Sequence, residues 1–200
     1  FTMAGSGRSS PTSPFMTFFN RDLFVAAGLD DPLTLAERGE WTVEKKREVA
    51  RLISDANPGI WGLEFKDGQG YDSRFMHTMV PAIRAWGGDA WTDNTCGFSS
   101  PEAVAAMTFL HEMVYQDRSV PPPGEVGDFF SGRAAMTVNQ ISRASVLANA
   151  GFEWGIAPLP TGPAGEAMVI GQAGIGVFTG GRNRDLATEF LMHWTNQENV

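Results

Sequence analysis

One cysteine, Cys96, stands in a chain of 200 residues. No internal disulfide can form, so a folded state must rest on its core. Cys96 sits in the turn-like stretch Asp93-Asn94-Thr95-Cys96-Gly97. A nucleophilic cysteine needs a base and a positive environment, and Asp93 has the wrong sign. A small residue at a turn or strand edge is the plainer reading. No apolar run reaches 18 residues, which excludes a transmembrane helix. The opening Phe1-Thr2-Met3-Ala4-Gly5-Ser6 has neither the basic start nor the apolar stretch of a signal peptide. Residues 1–6 are set aside as a non-native or disordered opening. Basic residues number 15 against 23 acidic ones, for a net charge of -8. No basic stripe is present to displace counterions from phosphates, so nucleic acid is excluded as a partner.

Catalytic signatures are equally scarce. His111-Glu112 opens a zinc-protease motif, but Tyr115 stands where the second histidine must be. His77, His111 and His193 are far apart and read as helix-surface or core residues. Gly5-Ser6-Gly7-Arg8-Ser9-Ser10 has no lysine and no preceding strand, so it is not a phosphate loop. Asp67, Asp72, Asp89 and Asp93 supply carboxylates for glycoside hydrolysis only if two of them face each other across a cleft. Asp89 and Asp93 flank Trp91-Thr92 and read as hairpin-turn residues. No metal or cofactor site emerges. Core packing is the expectation for all six tryptophans, with Trp86 and Trp91 the two open to partial exposure.

Hydrophobic residues make up 42% of the chain and charged residues 19%, as in ordinary globular domains. Phe15-Met16-Thr17-Phe18-Phe19 alternates like a strand. Thr42 caps a helical pattern carried by Val43, Val49, Leu52, Ile53 and Ala56, which Asn57-Pro58-Gly59 stops. Residues 60–65 read as a short buried strand. Residues 75–85 read as a helix ended by Gly87-Gly88. Ser100-Pro101-Glu102 is a helix start: a cap, a proline in the first turn and an early acid. Residues 134–139, 152–157 and 175–178 are strand candidates, and 186–194 a closing helix. Strands alternating with helices predict an α/β fold with a partly parallel sheet of about four or five strands. Gly171-Gln172-Ala173-Gly174 suits a close approach of backbone, either to another strand or to a ligand.

Small motifs recur in a fixed order. They are Phe18-Phe19-Asn20-Arg21-Asp22-Leu23-Phe24, Ala27-Gly28-Leu29, Glu40-Trp41-Thr42, Trp86-Gly87-Gly88-Asp89 and Ser99-Ser100-Pro101-Glu102. Then come Phe129-Phe130-Ser131-Gly132-Arg133-Ala134-Ala135-Met136, Ala157-Pro158-Leu159-Pro160, Gly171-Gln172-Ala173-Gly174 and Ala187-Thr188-Glu189-Phe190-Leu191. From about Gly7 to Val200 this series resembles the extracellular solute-binding proteins of ABC importers, the family-1 type that mostly carries sugars. The resemblance implies a periplasmic-binding-protein type II fold. Residues 7–200 then form one α/β lobe, mostly the C-terminal one, with a mixed sheet flanked by helices. It implies a non-catalytic subunit that captures a carbohydrate by closure of two lobes. Its partners are then a small-molecule solute, a sugar or polyol derivative, and ABC permease subunits. The place is extracellular or periplasmic, lipid-anchored in some full-length members.

The resemblance also carries site positions to this chain. The turn Pro11-Thr12-Ser13-Pro14 brings Ser13. The loop Tyr71-Asp72-Ser73-Arg74 brings Tyr71 to stack and Arg74 to clamp. The strand end Asn139-Gln140-Ile141-Ser142-Arg143 brings Asn139, Gln140 and Ser142. The glycine-containing strand start brings Gly171 and Gln172. Ser142 stands where many sugar binders carry a stacking tryptophan, and Gln140 and Gln172 where glycine is common. These departures shift the ligand towards something polar or small, or move the stacking to Tyr71 or to aromatics of the other lobe. A serine-rich turn near Arg143 is also similar to the glycerol-phosphate binders of the same class. A secreted glycan-active enzyme and a sensor ectodomain are the rival readings.

Overall fold

The computed structural model describes residues 12–65, 75–172, 176–194 and 196, with the side chains of Thr12, Ser13, Met76 and Gln172 outside that description. The chain divides into two compact units. The larger spans Ser13–Gly171, and the smaller joins residues 1–12 to 172–200.

In the larger unit the central strand is β1 (Thr12–Asn20). It runs antiparallel to β4 (Met136–Gln140), with Phe15 opposite Gln140 and Phe19 opposite Met136. On its other edge it pairs antiparallel with β5 (Trp154–Ala157), Thr17 opposite Ala157. The strand β6 (Ile170–Gln172) also pairs with β1, and the Phe15 N–H donates to the Val169 carbonyl at 2.9 Å. Side chains alternate across the sheet. Phe15, Thr17 and Phe19 share a face with Gln140, Val138 and Met136; Met16 and Phe18 share the other with Asn139 and Thr137.

Helices cover the first face: α1 (Arg21–Ala26), α2 (Pro32–Glu37), α3 (Val43–Ala56), α4 (Val80–Ala85) and α5 (Pro101–Tyr115). The cap residues read from the sequence are in place. Thr42 accepts from the Lys45 N–H, and Ser100 accepts from the Ala103 N–H. A π-helical turn, Phe75–Met79, leads into α4. Phe19, Trp41, Ile53, Leu63, Met113 and Met136 form the main core under this face. Phe18 packs on the opposite face with Phe129, Ala134 and Leu147. A nine-residue 3-10 segment, Ile141–Asn149, directly follows β4. Arg47 ties α3 to α5 by forking to Glu112 and Asp117, and these partners hold its guanidinium well above the ordinary arginine range.

Several elements differ from expectation. Residues 60–65 make no continuous strand; they touch the sheet only through parallel bridges, Trp61 with Ala134 and Glu64 with Thr137. The reason is that two N–H groups are diverted: Gly62 donates to Ser54 Oγ and Leu63 to the Ser119 carbonyl. These bridges are parallel, whereas β4 and β5 run antiparallel to β1. Residues 176–178 are irregular, while Ile175 lies outside the described residues. Trp194 is more than half exposed, against the expectation of core packing, and so is Trp91, which the sequence left open to partial exposure. Trp91 sits on the hairpin β2 (Trp91–Thr92) and β3 (Thr95–Cys96), whose turn residues Asp93 and Asn94 both have positive φ. That geometry is the turn favoured in two-residue hairpins. Cys96 is exposed at its edge. In the smaller unit, α6 (Arg184–Trp194) forms the expected closing helix.

Candidate functional site

The backbone gathers several of the expected positions at one end of the larger sheet. Gln140 is the last residue of β4 and lies opposite Phe15, two residues from Ser13 in β1. Gly171 lies in β6, which pairs with the same strand. Ser13, Gln140 and Gly171 therefore belong to one sheet end within one unit. In open α/β sheets ligands collect where strand ends meet loops.

The side chains there differ in character. Gln140 is half-buried and Ser142 is exposed on the 3-10 segment. Arg143, next to Ser142, places its guanidinium 5.1 Å from the centre of the Phe130 ring. Such stacking holds a cation in place while leaving its edge free to bond. Asn139 points to the opposite face from Gln140 and is fully buried. Its amide nitrogen donates to Thr137 Oγ1 at 3.4 Å, and its Oδ1 has no partner among the described residues. Asn139 is thus set under the sheet rather than at its rim. Gln172 is in β6 by backbone. Tyr71 and Arg74 lie outside the described residues.

An open groove of about 260 Å³ runs along this end of β1. Pro14, Phe15, Met16, Pro158 and Met168 line it, with Thr161 and Glu166 as polar groups. A second, smaller cavity of about 40 Å³ lies under the sheet between α3, α4 and α5. Both fall below the roughly 300–1,000 Å³ of a typical ligand site. Among the described residues no cluster of His, Cys, Asp and Glu is arranged to hold a metal.

Sequence reasoning did not single out Lys46, which lines the small cavity. Burial pushes its ammonium down to about 8. The signal was present: Lys46 is three residues from both Val43 and Val49, on the apolar stripe of α3.

Residues 7–200 match the family model of the bacterial extracellular solute-binding proteins. The chain belongs to this family. The fold of this solute-binding protein agrees with solved structures. UgpB of Mycobacterium tuberculosis, in complex with glycerophosphocholine, superposes with a TM-score of 0.73 at 24% identity, covering 94% of this chain and 48% of UgpB. T. maritima MalE3 with maltose bound gives 0.72 at 24% identity, covering 99% and 52%. The cyclic alpha-maltosyl-1,6-maltose binding protein of Arthrobacter globiformis gives 0.71 at 22% identity, covering 94% and 48%. At these identities the likeness establishes the periplasmic-binding-protein type II fold. The chain spans about half the length of these structures. No curated protein sequence matches it significantly. No helix among the described residues is long and apolar enough to cross a membrane.

Proposed function

We propose that this chain forms most of one lobe of the solute-binding subunit of an ABC importer, acting outside the cytoplasm without catalysis or cofactor. The lobe offers half of a cleft. A carbohydrate held there is enclosed when a second lobe closes over it by a hinge motion, and the loaded protein then docks on its permease. The observation that supports this reading most is the convergence of Ser13, Gln140 and Gly171 at one end of the sheet. Gln140 there presents an amide able both to donate to and to accept from a hydroxyl. The family resemblance alone adds Tyr71, Arg74 and Gln172 as further candidates.

Polyol phosphates are the second reading. It is favoured by Ser142, exposed where a stacking aromatic is expected, beside Arg143 stacked on Phe130. Hydroxyls and a guanidinium recognise a phosphate better than a sugar face. Thermal melts of the full-length protein with maltose, longer oligosaccharides and glycerol 3-phosphate separate the two readings. A rise in Tm without turnover is the expected result. Gln140→Ala is expected to weaken binding by about 1 kcal/mol, the worth of one neutral hydrogen bond. Hydrolysis of a chromogenic glycoside, or no shift with any sugar or polyol phosphate, overturns the proposal.

A further inference from the structure

The small cavity under the sheet is apolar on most sides, and Lys46 is among the residues that line it. Val43, Leu63, Phe65, Ala82 and Leu110 line it together with the side chain of Lys46. Lys46 keeps partial contact with solvent. Two other ionisable groups face the same space from neighbouring elements. Glu64, from the extended segment after α3, accepts the Phe129 N–H at 2.8 Å. His77, from the π-helical turn, stands edge-on to Phe15 with ring centres 4.6 Å apart. Lys46 itself makes no ion pair or side-chain hydrogen bond among the described residues.

The adjacent lysine differs in its partner and in the direction of its shift. Lys45 is on the solvent side of α3, and its ammonium holds Glu48 Oε2 at 2.6 Å. That hydrogen bond raises its pKa above the ordinary lysine value, while burial lowers that of Lys46 to about 8. An amine is a nucleophile only when neutral, and desolvation in an apolar pocket is the standard way to make it so.

We infer that Lys46 is, of the two described lysines, the one disposed to form an imine with short apolar aldehydes, the alkyl substituent of the aldehyde seated in the cavity that Lys46 lines. The neutral amine adds its lone pair to the carbonyl carbon. The resulting carbinolamine transfers a proton to its hydroxyl and expels water, leaving a C=N bond to Lys46 Nζ. No oxidant or reductant is needed for that step. The apolar walls suit the alkyl substituent, and the partial opening lets reagent enter and water leave.

The test treats the full-length protein at pH 7.5 with limiting propanal and cyanoborohydride, which delivers hydride to the imine carbon and fixes it as a secondary amine. Fragment mass spectra resolve Lys46 from Lys45 in one peptide. The expected result is an excess at Lys46 of about tenfold or more, from its larger neutral fraction, falling to near one in denaturant. Equal labelling in the folded protein, or an excess at Lys45, overturns the inference. Ala82→Leu narrows the cavity and leaves the amine in place. It is expected to slow propanal at Lys46 several-fold while sparing formaldehyde, which has no substituent to seat. If both aldehydes slow equally, or neither does, the cavity does not seat the substituent and the inference fails.

Discussion

At the scale of single residues, polar groups placed against apolar surroundings carry the information. Lys46 makes stability depend on pH. Its folded-state pKa of about 8 lies below the ordinary 10.5. The unfolded chain therefore binds more protons between those values, and stability rises with pH across that window. Below pH 8 the folded state bears the cost of a desolvated ammonium. Lys46→Met is expected to stabilise the protein by about 1–3 kcal/mol at pH 7 and to flatten the rise between pH 8 and 10.5, read from denaturant melts. An unchanged slope removes Lys46 as its source. Gln140 was named from the sequence because it ends a strand, and it does end β4. Asn139 was named on the same ground, yet alternation turns it to the far face, where it is fully buried. A period of two sets these neighbours on opposite faces, and the register that fixes the phase is a tertiary fact.

At the scale of elements, local chemistry was readable and close approach was not. Ser100 caps α5 as its sequence announces. Ser100→Ala is expected to cost about 1 kcal/mol, measured by chemical denaturation. Gly62 had no such signature, because its role depends on a helix twelve residues upstream. A Cβ at Gly62 lies 1.9 Å from the Ala50 carbonyl oxygen of α3, a backbone atom that cannot move aside. Gly62→Ala is therefore expected to cost about 3 kcal/mol or more. Gly59→Ala meets no neighbouring atom, although its φ of +88° costs something by itself. If Gly62→Ala is no worse than Gly59→Ala, the segment does not press on α3 as described. The irregularity of residues 60–65 has the same origin. Their apolar content suggests a strand, but Ser54 and Ser119 capture the N–H groups a ladder needs.

At the scale of the whole molecule, the chain spans about half the length of the solute-binding proteins it superposes on. Its groove of about 260 Å³ is open and mostly apolar. Calorimetry on the 200-residue chain is expected to give no sub-micromolar sugar binding, because a cleft site buries most of its ligand between two lobes. Tight binding by the chain alone contradicts the half-site reading. The amino-acid sequence by itself determined the α/β class, the starts of α3 and α5 and membership of the solute-binding family. Each of these depends on neighbours within a few residues, or on an order of motifs along the chain. Only the tertiary structure decided that Gln140 and Asn139 face opposite ways, that Gly62 touches α3 and that Lys46 borders a cavity. Those facts arise from surfaces far apart in sequence, brought to contact distance by a core whose register local pattern does not encode.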